Sequence, residues 1–394
     1  MRKKSLHIMV NASNLKVGGG LQVADSVCRE LYKYPQHRFT VVYDKALADC
    51  AKAIGQYDNV ETVEYETPVD FKTVLTGCDK FLDTLVKEKK IDAVLTVFGP
   101  SRWTPRVPHL SGFARSQLVL PESPYWKQIP SKRMLSVKLK LFMLKYSFAK
   151  CADNYFTENS QISERLQKLF PRKKVFTVTN NANQVFQKPE SWDRSIELPE
   201  FDGITMLTVA ANYPHKNLPI IIPASHYLEE NCPDLKFRFV LTIRDQDLLE
   251  ADECAKRHIV FLGPVKIEQV PYLYEQSDIM FLPTLLECFS ASYAEAMVMK
   301  KPVLTTDLVF ARGLCGDAAF YYDAVSPSAL GEAIVSLSEE SALRERLVAN
   351  GLKQLQHFDT FEHRAEKLIK LVEEIVEKHS AVPEYNLTKQ NGSN

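Results

Sequence analysis

The chain has 394 residues, 45% of them hydrophobic and 25% charged, enough apolar material for well-buried cores and a length that suggests two domains. No apolar run reaches the roughly 18 to 20 residues of a membrane span, and the eight scattered cysteines include no C-x-x-C pair, so neither a zinc ribbon nor a redox motif is indicated. Net charge is zero, but residues 1–195 hold 31 Lys+Arg against 19 Asp+Glu and residues 196–394 hold 18 against 30, which suits the first half to an anionic partner.

The start is basic and then briefly apolar, but Asn11-Ala12-Ser13-Asn14 ends the apolar run too soon for a signal peptide, so Leu6–Val10 reads as a buried first strand. Gly18-Gly19-Gly20 follows it and opens a helix, with helical periodicity over Leu21–Tyr32. Glycines at such a place let the backbone approach a phosphate or a sugar closely. The spacing is not G-x-G-x-x-G, and Asp44, after the strand Phe39–Tyr43, comes late for a dinucleotide ribose, so a nicotinamide enzyme is poorly supported. Further strands are expected at Ala93–Val97 and Val175–Thr179.

Between them, Lys127–Ala152 carries Lys127, Lys132, Arg133, Lys138, Lys140, Lys145 and Lys150 with no acidic residue, interleaved with Leu135, Val137, Leu139, Leu141, Phe142, Leu144 and Phe148. A basic, partly amphipathic helix of this kind suits an anionic membrane surface. The same pattern also fits a core-packed helix with a solvated basic face.

The periodicity breaks at Gln187–Gly203, a polar stretch with Pro189 and Pro199 that reads as a linker, and restarts at Ile204. Strands are expected at Thr205–Ala210, Phe237–Thr242, Ile279–Leu282 and Pro302–Thr305, and strand–helix alternation argues for parallel sheets with helices on both faces. The expected division is 1–186 for a first domain, 187–203 for the linker, 204–357 for a second domain, 358–378 for a C-terminal segment whose amphipathic helix reads as Phe361–Lys378, and 379–394 for a disordered tail.

The second half holds the most informative stretch. After Ile279–Leu282 comes a loop with Glu287, Cys288, Phe289 and Ser290, then a helix from about Ser292 that carries Glu295. Free N–H groups and the positive dipole end at such a helix start suit a diphosphate, and the two carboxylates can accept hydrogen bonds from sugar hydroxyls. The alternative is a solvated Glu287 and a surface Glu295 that stabilises the dipole. A second element, Asn212-Tyr213-Pro214-His215-Lys216-Asn217, follows a strand and places Lys216 where a fixed ammonium would neutralise a leaving diphosphate.

These motifs together resemble glycosyltransferase family 4, the retaining enzymes of the GT-B fold, in which two Rossmann-like doubly wound domains face each other across a cleft. In that family E-x7-E lies at a strand–helix junction of the second domain, a P-x-K-N-type turn follows that domain's first strand, and a glycine-rich loop follows strand one. The resemblance covers most of the chain, is dense over 204–357, and includes Val260–Val265 followed by Val270–Asp278, where the family seats the nucleotide base.

The resemblance implies that Glu287 contacts the donor sugar and Glu295 the ribose hydroxyls. It also implies that Lys216 grips the diphosphate with help around Phe289 and Ser290. Gly18, Gly19 and Gly20 would line the cleft from the other domain, and Asn212 and Val265 would complete the nucleotide-sugar site. The final helix would cross back onto the first domain. No cofactor or metal is expected beyond a nucleoside-diphosphate sugar, and no nucleic acid is expected as partner. The acceptor would be a sugar or lipid-linked oligosaccharide in surface-polysaccharide synthesis, and the location cytoplasmic, with the basic stretch facing the inner side of a membrane.

Three departures stand out. An arginine that the family often has five residues before the lysine is Ala211 here. A histidine at the end of the strand after V-P is Ala114, while His109 sits at that strand's start in a structural role. The usual G-F-G is Cys288-Phe289-Ser290. Asp245-Gln246-Asp247 spells a metal-binding D-x-D but follows a second-domain strand, where a solvated loop is expected. A nucleotide-sugar epimerase of the same fold and a non-catalytic sugar-binding relative remain as rivals.

Overall fold

The computed structural model describes residues 5–67, 71–248 and 250–381. Its first sheet has seven strands: β1 His7–Ala12, β2 Arg38–Tyr43, β3 Val60–Glu64, β4 Ala93–Thr96, β5 His109–Gly112, β6 Asn154–Thr157 and β7 Lys174–Thr177. The second has six: β8 Ile204–Thr208, β9 Phe237–Leu241, β10 Ile259–Phe261, β11 Ile279–Leu282, β12 Val303–Thr306 and β13 Ala319–Tyr322. The orders are β3-β2-β1-β4-β5-β6-β7 and β10-β9-β8-β11-β12-β13, and the paired strands of both run parallel.

Parallel strands are covered on both faces, which explains why β1, β4, β8, β9 and β11 are buried along their whole length. Each order reverses once, between β1 and β4 and between β8 and β11. A crevice opens at the carboxyl ends of the strands at such a reversal, and ligands bind there in open α/β sheets. The glycine loop follows β1, Lys216 follows β8, and Glu287 follows β11. The fold thus brings all three motifs to switch points.

The C-terminal helix runs Phe361–Ser380, starting where the amphipathic pattern starts and ending two residues beyond Lys378. Thr360 caps it by accepting from the His363 N–H, which fixes the start. Leu368, Ile369, Val372 and Val376 pack into the core of the first sheet with Ile8, Val10 and Phe39. Each such burial contributes about 1.5 to 3 kcal/mol. Arg364 is buried between the halves of this contact and donates to Asn180 Oδ1 and Ser26 Oγ. Of the tail expected over 379–394, residues 379 and 380 belong to the helix, and 382–394 lie outside the described residues. The linker 187–203 holds one short turn, Pro189–Ser191, and no strand.

The basic stretch forms a helix over Ser131–Cys151 that buries only Ser147, Phe148 and Cys151. Leu135, Leu139, Phe142 and Tyr146 are exposed, Leu135 by 81%. The helix packs on the core through Leu144, Phe148 and Cys151, as the core-packed alternative expects, but leaves the stripe of Leu135, Leu139 and Phe142 in solvent beside its basic residues. Among the described residues no helix is long and apolar enough to cross a membrane.

Candidate active site

A cleft cavity of about 660 Å³ lies between the two sheets, within the range of small-molecule sites. Gly19 and Gly20 line it from the first domain, and His215, Glu287 and Phe289 line it from the second. Gly18 has φ +79°, a left-handed conformation that favours glycine, and caps the helix Gly19–Cys28. A Cβ on Gly18 or Gly19 would meet nothing within 4 Å, so the loop faces open space.

Across the cleft, β8 leads through the turn Pro214–Lys216 to Asn217, a left-handed residue with φ 54° that redirects the chain. Two hydrogen bonds tie this turn to the β11 loop: Leu285 N–H donates to His215 O at 2.7 Å and Thr284 Oγ1 to the same oxygen at 3.1 Å. The stitching aligns the side chains, and Lys216 Nζ donates to Glu287 Oε1 at 2.5 Å. The Thr284 hydroxyl shares its one proton between His215 O and this carboxylate oxygen, which lies 3.1 Å from Oγ1. Both charged side chains are 14% exposed, so the pair is largely shielded from water. His215 stands 3.9 Å from the carboxylate, and burial lowers its pKa, which leaves Lys216 as the cation there.

The helix Ala291–Val298 starts after this loop with Ser290 as its N-cap residue. Glu295 lies inside it and is buried, not on the surface. Tyr274 Oη donates to its Oε2 at 3.4 Å. Burial pushes the carboxyl up to about 7, against the lowering effects of Tyr274 and Lys216. Neither Glu287 nor Glu295 is thus the solvated surface residue of the bland alternative.

Other expected residues sit further off. Asn212 donates to the Asp247 carbonyl and is exposed. Val265 is half-buried against the core, Ser290 is buried, and Gly18, Asn212, Lys216, Val265, Ser290 and Glu295 lie outside the cavity lining, Lys216 reaching it through Glu287. Phe289 stacks edge-on against Phe358 at 5.9 Å. Asp247 accepts from Arg244 N–H at 3.0 Å within the turn Asp245–Asp247, and its side chain is committed there. His109 has Nδ1 2.7 Å from Cys151 O and Nε2 2.8 Å from Thr96 Oγ1, and burial lowers its pKa to about 4. Both nitrogens are engaged inside the first domain.

Sequence reasoning missed residues that only the fold brings to the cleft. Ser123 Oγ donates to Leu285 O at 2.6 Å and Gln128 Nε2 to Asn217 Oδ1 at 2.8 Å, so the segment before the basic helix braces the donor-side loops from the other domain. Arg115 and Glu158 line the cavity. Glu158 follows β6 and is 6% exposed, and among the described residues its Oε1 has no hydrogen-bond partner. Burial pushes its carboxyl up to about 7, more than Arg364 and Asn180 pull it down. The register Gly112↔Phe156 places Glu158 level with Ala114, one strand over. No pattern in the sequence marks these residues, because their neighbours come from distant segments.

Residues 190–354 match the family of glycosyl transferases group 1. The chain is similar to a phosphatidyl-myo-inositol mannosyltransferase of Mycobacterium leprae, 28% identical over 149 residues, or 37% of this chain and 40% of that protein. It is also similar to the O-antigen chain mannosyltransferase B of Escherichia coli, 30% identical over 100 residues, or 25% of this chain and 26% of that protein. The chain therefore spans less than half the length of these curated relatives. A solved glycosyltransferase from Rickettsia africae superposes with a TM-score of 0.67 at 14% identity, over 94% of this chain and 99% of that one. The fold is GT-B, and its second half carries a group 1 glycosyl transferase domain.

Proposed function

We propose that this protein is a retaining glycosyltransferase of family 4 that moves a hexose-like unit from a nucleoside diphosphate to a hydroxyl of a lipid-linked oligosaccharide. The observation that carries this reading is the Lys216–Glu287 pair at the second domain's switch point, with Glu295 buried one helix start away. Lys216 neutralises the diphosphate as the sugar leaves, Glu287 holds sugar hydroxyls, and Glu295 holds the ribose. The departing phosphate takes the acceptor proton, so no protein nucleophile is required, and the work of the protein is positioning. That both curated relatives are named mannosyltransferases, one of phosphatidyl-myo-inositol and one of the O-antigen chain, supports a hexose donor and a lipid- or polysaccharide-borne acceptor.

The basic helix supports attachment at the inner face of a membrane, with the protein otherwise cytoplasmic. Its exposed stripe of Leu135, Leu139 and Phe142 is flanked by Lys132, Arg133, Lys138 and Lys140, the arrangement of an interfacial helix.

The deciding experiment screens nucleoside-diphosphate sugars by thermal shift, since a ligand of the folded state raises the melting temperature, and then follows turnover of the best one. Sugar transfer that depends on an acceptor supports the reading. Isomerisation without acceptor makes the protein an epimerase, and binding without turnover makes it a non-catalytic relative.

A further inference from the structure

A second cavity, of about 420 Å³, lies at the opposite end of the first sheet from the cleft. His109, Asn154 and Lys174, which open β5, β6 and β7, line it, whereas Ala114, Glu158 and Asn180 follow the ends of the same strands and line the cleft. Strands of this length, at about 3.3 Å per residue, hold the two cavities roughly 15 Å apart.

The walls of this second cavity are basic. Arg106 comes from the turn before β5, Lys150 from the last turn of the basic helix, Arg172 and Lys174 from the start of β7, and Lys378 from the last turn of the C-terminal helix. The one carboxylate among the described lining residues is Asp153, and Lys173 already holds it at 2.6 Å. Lys150 Nζ donates to Leu75 O at 2.5 Å, and Lys378 pairs with Glu374 at 3.3 Å. Among the described residues, Arg106, Arg172 and Lys174 have no ion-pair partner within 4.0 Å. Cations around one cavity repel each other, and an anion among them relieves that repulsion. Two guanidinium forks and a lysine match the oxygens of a phosphate group better than a single carboxylate.

The position adds to this. Leu135, Leu139, Phe142, Tyr146 and Lys150 follow one another at spacings of four and three residues, so they share one helix face. The exposed apolar stripe therefore ends at the wall of the basic cavity.

We propose that this cavity is a second anion site, separate from the cleft, that takes a phosphate-bearing group, a phosphomonoester or diphosphate of a soluble compound or of a lipid headgroup. The proposal stands independently of the cleft chemistry.

The test uses the full chain and a triple variant, Arg106→Gln, Arg172→Gln and Lys174→Gln, whose side chains are exposed, with melting temperatures compared first. Inorganic pyrophosphate is titrated by calorimetry into both proteins and the number of sites compared, since the cleft is the same in the two. The variant is expected to lose the site or to bind at least about tenfold more weakly, while Arg106→Lys with Arg172→Lys, which keeps the charge but removes the forks, falls between the two. In a second arm, both proteins are sedimented with phosphatidylcholine vesicles containing either phosphatidic acid or phosphatidylserine at matched charge. A preference for phosphatidic acid that the triple variant lacks assigns the phosphate to a lipid headgroup. A pyrophosphate difference alone assigns it to a soluble compound. Equal pyrophosphate binding and equal sedimentation of parent and variant overturn the proposal.

Discussion

Lys216 Nζ and Glu287 Oε1, 71 residues apart in sequence, meet at 2.5 Å where the two switch-point loops of the second domain are stitched together. The two charges neutralise each other in this state. On the proposed function, a donor diphosphate would compete with Glu287 for the ammonium, and the sugar would take the carboxylate that Lys216 gives up.

This pairing makes the three site variants distinguishable. Lys216→Ala and Glu295→Ala should each weaken binding of free UDP or GDP, whichever the parent binds, by roughly tenfold to a hundredfold, since loss of a charged hydrogen-bond partner costs about 1.5 to 3 kcal/mol. Glu287→Ala frees the ammonium, so nucleotide affinity should hold or rise while turnover collapses. Calorimetric titration of the three variants checks this, and unchanged nucleotide affinity in both Lys216→Ala and Glu295→Ala removes the assignment.

Glu158 supplies a pH signature. Its carboxyl is raised from 4.5 to about 7 by burial, so the folded protein holds a proton that the unfolded chain releases near 4.5. The associated stability is fully present below about 4.5 and is lost as pH rises through about 7. A glutamine keeps the neutral shape at every pH. Glu158→Gln should therefore match the parent at pH 5 and exceed it at pH 8, by up to about 3 kcal/mol at 1.36 kcal/mol per pKa unit. Urea unfolding at both pH values measures the difference; parallel curves across that range would show that the carboxyl ionises freely.

The reasons some features were legible and others were not are physical. Both sheets could be read because β1, β4, β8, β9 and β11 are buried on two faces and so spell continuous apolar runs. β3 was not, because it is an edge strand whose Val60-Glu61-Thr62-Val63-Glu64 is mostly half-exposed and looks like loop. The Glu287–Glu295 spacing marked the donor side because strand, loop and helix are contiguous there. Glu158, Arg115, Ser123 and Gln128 were invisible, since each acquires its role only when a segment folds against a distant one. The basic run was visible as charge, but the exposure of Leu135, Leu139 and Phe142 depends on how the helix is seated, which periodicity does not reveal.

Metal independence is a prediction of the proposed function, in which Lys216 would supply the cation at the diphosphate. Asp247 is committed to Arg244 within its own turn, with its carboxyl lowered by those bonds. Once a donor is identified, its turnover should survive excess EDTA, and replacing Asp245 and Asp247 with Asn should change kcat by less than about twofold, with a small loss of Tm as the turn loosens. Activity abolished by EDTA and restored by manganese would reassign the diphosphate to a metal.

The last prediction concerns the membrane. The helix Ser131–Cys151 has no acidic residue and leaves Leu135, Leu139 and Phe142 in water, where each forgoes about 1.5 to 3 kcal/mol of burial. An anionic bilayer compensates both features at once: every lysine or arginine near its surface contributes about 1 kcal/mol, screened within a Debye length, and the apolar stripe enters the interface. Vesicles with anionic lipid should therefore bind the protein strongly at low salt and weakly at high salt, and neutral vesicles should bind it poorly. Changing Lys132, Arg133, Lys138 and Lys140 together to Gln should remove most of the salt-sensitive part. Leu139→Gln with Phe142→Gln should weaken what salt does not. Neither set touches the cleft, so nucleotide affinity should stay within a few-fold of the parent. A parent protein that ignores anionic vesicles at low salt would turn the acceptor assignment toward a soluble sugar.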